Sequence, residues 1–304
     1  MKLKLIVAMC KNGGIGYRNN IPWNIKKDLL YFSNKTCGEY GKYMRTIKNT
    51  KIDTISDKNI KKNAVIMGKN TWLSLPKYPE PLKNRDNIIL SASIPESIVY
   101  SSSSDSDSVS SSDLIIHFSS ISHIMSFCIS PGSYPLISNE KHRCYENDEK
   151  YEKREIVTTY NSLYDEVWII GGTQIYNVFM NENMKINSNI LIDEFCITYI
   201  DKYYECDTFF PKIENMNLYY ISSFSKCESI DDKTGLRVSV YYIVFTLIEW
   251  DNTEYIQKKY VENINSLEYV GDVERYYYYT INDKQCEYIT NDNADLFMWC
   301  ITKC

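Results

Sequence analysis

The sequence predicts an α/β fold with a mostly parallel central sheet and flanking helices. Three observations carry that expectation. Short apolar runs recur at residues 3–9, 63–67, 87–90, 114–118 and 166–170, each the length of a buried strand. Segments of helical period follow several of them, as in successive strand–helix–strand units. Three more strand-like runs, 190–200, 218–224 and 236–248, close the pattern.

The elements follow in order. Residues 3–9 form the first strand, ended by Lys11-Asn12-Gly13-Gly14. A loop runs to Ile21-Pro22-Trp23. From Asn24 the pattern turns helical for about three turns, with Asp28 and Phe32 four residues apart on one face. Residues 37–62 are rich in Lys and Asn and read as a surface insertion. Residues 63–67 form a strand, and Gly68-Lys69-Asn70-Thr71-Trp72 opens a short helix. Residues 87–90 form another strand. The stretch 100–113 is nearly all Ser and Asp, a composition that cannot bury a core and reads as a mobile loop. A strand at 114–118 and a helix at 120–128 precede a second polar insertion, 130–160. Residues 166–170 form a strand, and Gly171-Gly172 begins a helix through Met180.

Composition bounds the function. The chain has 304 residues and a net charge of −5, which argues against a general nucleic-acid binder. The charge is uneven. Residues 249–304 hold 11 acidic and 5 basic residues, a net of −6, so the first 248 carry +1. This predicts a domain over 1–248, with insertions near 37–62, 100–113 and 130–160, and an acidic C-terminal extension or linker. The run of tyrosines at 276–279 has no assignment. Ten cysteines without a C-x-x-C pair read as reduced cytosolic thiols, and three histidines without ligand spacing give no metal site. No run approaches the ~20 apolar residues of a membrane span. A cytoplasmic protein is expected.

Three features could carry chemistry. Spacing alone leaves Asp28 between a solvated helix acid and a buried carboxylate. The buried form would face a ligand's paired N–H donors, with two parallel hydrogen bonds and a raised pKa. Gly171-Gly172 is either a tight turn or a place where backbone approaches a cofactor's phosphates. The fuller G-x-G-x-x-G pattern is absent, which disfavours an ordinary dinucleotide-binding dehydrogenase. Gly68-Lys69-Asn70-Thr71 is either a solvated helix start or a phosphate site.

The order of these features is more specific than any one of them. Ile15-Gly16, Ile21-Pro22-Trp23 and Asp28 to Phe32 resemble the opening of dihydrofolate reductases. The resemblance continues through Val65-Ile66-Met67-Gly68-Lys69-Asn70-Thr71-Trp72, Pro81-Leu82-Lys83-Asn84-Arg85 and Asn87-Ile88-Ile89-Leu90-Ser91. Ile169-Ile170-Gly171-Gly172-Thr173-Gln174-Ile175-Tyr176, Thr198 and Cys206-Asp207-Thr208-Phe209-Phe210-Pro211 complete it.

The resemblance implies the three-layer fold of that family, its mostly parallel sheet ending in an antiparallel C-terminal strand, and hydride transfer from NADPH to dihydrofolate, with antifolate-type small molecules as further ligands. Asp28 would bind the pterin and assist protonation, Thr198 would support Asp28, and Trp23 would hold a water beside the substrate. Ile6, Val7, Leu29, Phe32, Ser74, Ile170 and Tyr176 would line the substrate site. Arg85 would pair with the glutamate carboxylate. Ala8, Ile15 and Gly16 would surround the nicotinamide. Gly171, Gly172, Thr173, Gln174, Ile175 and Tyr176 would hold nicotinamide and pyrophosphate. Gly68, Lys69, Asn70, Thr71 and Ser91 would receive the adenosine phosphate end. Residues 10–20 would form a lid.

Trp72, Phe209 and Phe210 read as core residues, and Asp207 as a tether for the lid or a turn cap. Some positions depart from the family. Ala92 follows Ser91 where a second polar residue is common, and Lys69 stands where Arg is frequent. Leu73 replaces a common Glu, and Thr173 a third glycine. The tail suggests the junction to a thymidylate synthase domain in a longer chain, although no motif of that enzyme is present. Two other readings remain at this stage. One is a pyrimidine reductase of riboflavin synthesis with the same fold. The other is a catalytically silent ligand-binding or scaffold domain.

Overall fold

A computed structural model describes residues 1–50, 60–100, 113–129, 163–183, 191–211 and 219–247, with the pairs 280–281 and 284–285. The serine-rich stretch 101–112, the insertion 130–160 and nearly all of the acidic tail lie outside the described residues.

In chain order the elements are β1 (Lys2–Cys10), β2 (Gly14–Gly16), α1 (Lys26–Thr50), β3 (Ala64–Gly68), α2 (Lys69–Leu73), β4 (Asp86–Leu90), β5 (Ser97–Tyr100) and β6 (Leu114–Phe118). They continue with α3 (Ile121–Ile129), β7 (Glu166–Gly171), α4 (Thr173–Asn183), β8 (Glu194–Ile200), β9 (Thr208–Phe209), β10 (Tyr219–Asp231) and β11 (Leu236–Leu247). Two short strands, β12 (Thr280–Ile281) and β13 (Lys284–Gln285), pair with each other. No described helix is long and apolar enough to cross a membrane.

The chain falls into two compact units. The first comprises Met1–Lys4 and Lys27–Tyr176, the second Leu5–Lys26 and Asn177–Cys304. The strands of the first unit lie in the order β7-β3-β4-β6-β5. β3 pairs in parallel with both β4 and β7, and β4 with β6, while β5 returns antiparallel on β6. Ala64, Val65, Ile66 and Met67 are all fully buried, as are Ile88 and Ile89. Such continuous burial marks strands covered on both faces.

In the second unit the order is β10-β11-β8-β1, and β11 pairs antiparallel with β10 and β8. Its core gathers Cys10, Trp23, Ile25, Ile200, Val238 and Val240. The small pair β2 and β9 belongs to the same unit.

Several expectations change. The helix expected for three turns runs on to Thr50, so residues 37–50 are helical and not an irregular insertion. It breaks at Gly38, whose φ of 55° and ψ of −146° lie outside helical values. A Cβ there would stand 2.7 Å from Asn63 Nδ2, so the position excludes a side chain on two grounds. β8 begins at Glu194, later than the apolar run suggested, and β10 extends to Asp231. β2, β5 and β9 were not anticipated. Trp72 and Phe210 are core residues as expected, both 5% exposed, but Phe209 is 45% exposed. β9 is a two-residue strand whose residues are not both covered, so the aromatic pair splits between core and solvent.

Candidate active site

In the first unit, α1 presents an inverted pattern of burial. Asp28 in its first turn is 7% exposed, whereas the adjacent Leu29 and Leu30 are 48% and 60% exposed. The solvated reading of Asp28 is therefore overturned. Phe32 and Thr36 follow Asp28 at helical intervals of four. Thr36 is fully buried and donates its hydroxyl to Phe32 O at 2.7 Å.

Arg85 is 5% exposed. It donates from Nη1 to Thr36 Oγ1 and from Nε to Lys83 O at 3.1 Å. Its guanidinium lies 5.7 Å from the centre of the Phe32 ring. Burial pushes the guanidinium below its ordinary pKa, and the Cys37 and Asp113 side chains offset part of that. Among the described residues no carboxylate forms an ion pair with it. The loop before it is shaped by Asn87, fully buried, which bonds Leu82 N and O and Arg85 O at 3.0–3.1 Å. Asn84 sits at φ 63° and donates its N–H to Asp113. Neither Thr36 nor Asn87 stood out in the sequence.

Two strand-to-helix junctions, β3–α2 and β7–α4, meet in the same unit. Gly68 caps α2 without a side-chain hydrogen bond. A Cβ on Gly68 would stand 2.9 Å from Ile175, one on Gly171 2.9 Å from the Tyr176 ring, and one on Gly172 3.4 Å from Thr71 Oγ1. Gly171 has φ 111°, and the Gly171–Gly172 peptide is cis. Ile175 and Tyr176 are buried, at 7% and 3%, behind this backbone. Gly172, Thr173 and Gln174 are accessible. Ile170, half-buried, precedes the junction on β7.

At the end of β4, Ser91 Oγ lies 3.1 Å from Ser93 Oγ, and Lys69 Nζ donates to Ser93 Oγ at 3.1 Å. The Ser93 N–H donates to Ser91 Oγ at 3.2 Å. Ser93 thus supplies the polar group that Ala92 lacks, one residue later than expected. Asn70 is exposed beside Lys69. Ser74 ends α2, donating its hydroxyl to Thr71 O at 2.9 Å.

The second unit holds Ile6, Val7, Ala8, Ile15, Gly16, Trp23 and Thr198. Ile6 and Val7 are buried in β1, and Ala8 is half-buried. Thr198 is 1% exposed in β8, opposite Tyr242 of β11. Trp23 is 4% exposed, and its Nε1 is buried with no acceptor among the described residues.

The loop carrying Ile15 and Gly16 is fastened by Asp207. Oδ2 of Asp207 accepts the Arg18 N–H at 2.8 Å, and the Asp207 N–H donates to Gly16 O at 3.0 Å. The Arg18 N–H and the Thr208 hydroxyl hold its carboxyl below the usual range. Of the two readings of Asp207, the tether is the one observed.

The family description of dihydrofolate reductase matches residues 2–41 and 136–244. Residues 42–135, with α2, Arg85 and Ser91, lie between those stretches. A dihydrofolate reductase of Drosophila melanogaster is 30% identical over 213 residues, 70% of this chain and 81% of that protein. A putative dihydrofolate reductase of Caenorhabditis elegans is 30% identical over 241 residues, 78% of this chain and 93% of that protein. A solved dihydrofolate reductase of Enterococcus faecalis, complexed with NADP(H), matches with a TM-score of 0.46 and 18% identity. It covers 82% of this chain and 97% of its own. With relatives of this identity aligned over most of its length, the chain belongs to the dihydrofolate reductase family.

Proposed function

We propose that the chain reduces 7,8-dihydrofolate to 5,6,7,8-tetrahydrofolate, taking the hydride from NADPH and a proton from solvent. The observation that carries this reading is Asp28. A carboxylate buried on a helix whose neighbouring leucines are exposed is arranged for a ligand and not for solvent.

The residues fit the cofactor. Gly68 and Gly171 keep bare backbone where a side chain would collide with Ile175 or Tyr176, and Gly172 beside them is accessible, which suits close approach of a dinucleotide. Lys69, Ser91 and Ser93 form a polar cluster suited to the 2′-phosphate of NADPH. Bound there, NADPH supplies the hydride that the protein's own side chains cannot.

The chain's residues do the rest. Asp28 pairs with the 2-amino group and N3 of the pterin and fixes its orientation. The buried Nε1 of Trp23 suits a water that carries the proton toward N5. Leu29 and Phe32 offer apolar surface to the ring and tail. Arg85 is a buried cation whose open charge suits the glutamate carboxylate, and Thr36 and Lys83 fix its fork. Ile15, Gly16 and the loop tethered by Asp207 exclude water over the nicotinamide.

Residues 1–248 are the reductase domain in this reading, and 249–304 an acidic extension or the junction to a thymidylate synthase domain. The family match ending at residue 244 supports that boundary. The cytoplasm, where reduced thiols persist, is the proposed location.

The test is loss of NADPH absorbance on adding dihydrofolate. Asp28→Asn should slow turnover by roughly 10²–10⁴-fold. Unchanged turnover in that variant would remove Asp28 from the chemistry, and no turnover by the parent would overturn the function. Inhibition by a diaminopyrimidine antifolate separates this activity from a pyrimidine reductase.

A further inference from the structure

Asp231 ends β10, on the hairpin that leads into β11, and its side chain is fully buried. Four donors converge on it. Oδ1 accepts the backbone N–H of Asn24 at 2.9 Å and of Lys233 at 3.1 Å. Oδ2 accepts the Tyr204 hydroxyl at 3.0 Å and the Thr234 hydroxyl at 2.8 Å. Lys202 Nζ stands 3.7 Å away. Burial pushes the carboxyl up, but the Asn24, Thr234, Tyr204 and Lys233 donors outweigh it and hold it below the usual range.

The bonds to Lys233 and Thr234 are local, of the kind an aspartate makes within its own turn. The other two are not. Asn24 directly follows Trp23, and Tyr204 backs the Trp23 indole with ring centroids 5.3 Å apart. One carboxylate therefore fixes the tryptophan twice, through its main chain and through the ring behind it. The hairpin adds further bonds to the same segment. The Asp232 N–H donates to Asn24 O at 2.8 Å, Ile25 bridges to Asp231, and Lys233 Nζ donates to Ile21 O. Lys26 and Asp232 form an ion pair at 3.0 Å.

We propose that Asp231 is a positioning residue for Trp23, holding the buried indole N–H in place from the β10–β11 hairpin. The proposal rests on the reading of Trp23 as the residue that orients the proton-carrying water. Asp231 touches neither substrate nor cofactor in this account. It acts by removing the freedom of Tyr204 and Asn24 to shift.

The experiment is a double-mutant cycle of Asp231→Asn with Trp23→Phe, read by turnover and by tryptophan fluorescence. Asparagine keeps an acceptor for the Asn24 N–H but offers an NH₂ where the Tyr204 and Thr234 hydroxyls now donate. Asp231→Asn should lower kcat about five- to tenfold with little change in KM. It should also change the fluorescence spectrum. Neither effect should appear when Phe already replaces Trp23. Tyr204→Phe, which removes one bond and keeps the ring, should reproduce part of both effects and guards against a variant that fails to fold. Independent, multiplicative losses in the double variant would overturn the proposal, since a merely structural role predicts them. So would a fluorescence spectrum unmoved by Asp231→Asn. A Trp23→Phe variant of full activity would sink the reading of Trp23, and the fluorescence comparison would still decide whether Asp231 positions it.

Discussion

Arg85 and Phe32 share a buried contact, with the guanidinium 5.7 Å from the ring centre and Thr36 bonded to both residues. The aromatic face and one hydroxyl stabilise the cation without neutralising it. A carboxylate ligand would meet a fork already oriented. Arg85→Gln should therefore raise KM for dihydrofolate by roughly 10–100-fold and change kcat little. A reduced pterin without a glutamate tail should show no such difference. Steady-state kinetics with both substrates check this, and equal losses on the two would remove Arg85 from tail recognition.

The cluster of Lys69, Ser91 and Ser93 predicts cofactor preference. Ser93→Ala should raise KM for NADPH by about three- to tenfold and leave KM for NADH unchanged. Titration with both cofactors reads the ratio directly. A parallel rise with NADH would show that Ser93 shapes the loop and does not meet a phosphate.

Gly171 cannot carry a side chain without movement. Its φ of 111° is strained for any L residue, and a Cβ would stand 2.9 Å from a Tyr176 ring that is itself 3% exposed. Gly171→Ala should cost about 1–3 kcal/mol and lower Tm visibly. Gly172→Ala meets only Thr71 Oγ1 at 3.4 Å and should leave Tm nearly unchanged. Thermal denaturation of the two variants compares them.

His117 gives a pH dependence of stability. It is 8% exposed in β6, and its Nδ1 lies 3.0 Å from Ser97 Oγ. Burial pushes the imidazole from its ordinary 6.5 down to about 4. The unfolded chain then binds the proton first. Its contribution is complete above the unfolded value of 6.5 and is lost as the pH falls from there toward 4. Between pH 7 and 4.5 this amounts to about 2–3 kcal/mol. His117→Gln should lose less stability than the parent over that interval, by denaturant titration at both pH values. Equal losses would show that His117 does not titrate as a buried group.

The sheet was legible because its inner strands are covered on both faces. Residues 64–67 and 166–170 could be read as strands from apolar runs alone. The length of α1 was not legible, since beyond Gly38 it is polar and has no regular apolar stripe, with Glu39, Lys42, Arg45 and Thr46 along it, a composition shared with loops. β5 was hidden because its burial comes from pairing at the edge next to β6 rather than from its own pattern. Asp28 shows the limit most clearly. Periodicity assigns burial to leucines and solvent to acids, and the first turn of α1 reverses both. The family motifs pointed to a buried Asp28 where spacing left both readings open. Thr36, Ser93 and Asp231 work through side-chain hydrogen bonds that include partners distant in sequence, and Asn87 through bonds to loop backbone two and five residues away; neither kind leaves a periodic signal.

Gly38 has a consequence for how this chain tolerates change. Helical phase advances about 100° per residue, so an insertion within an unbroken helix rotates everything beyond it. A residue outside helical φ and ψ does not transmit that rotation. Asp28, Phe32 and Thr36 precede the break, and their facing is set before it. A change of length in the chain after Gly38 is therefore not passed back as a rotation of Asp28, Phe32 and Thr36.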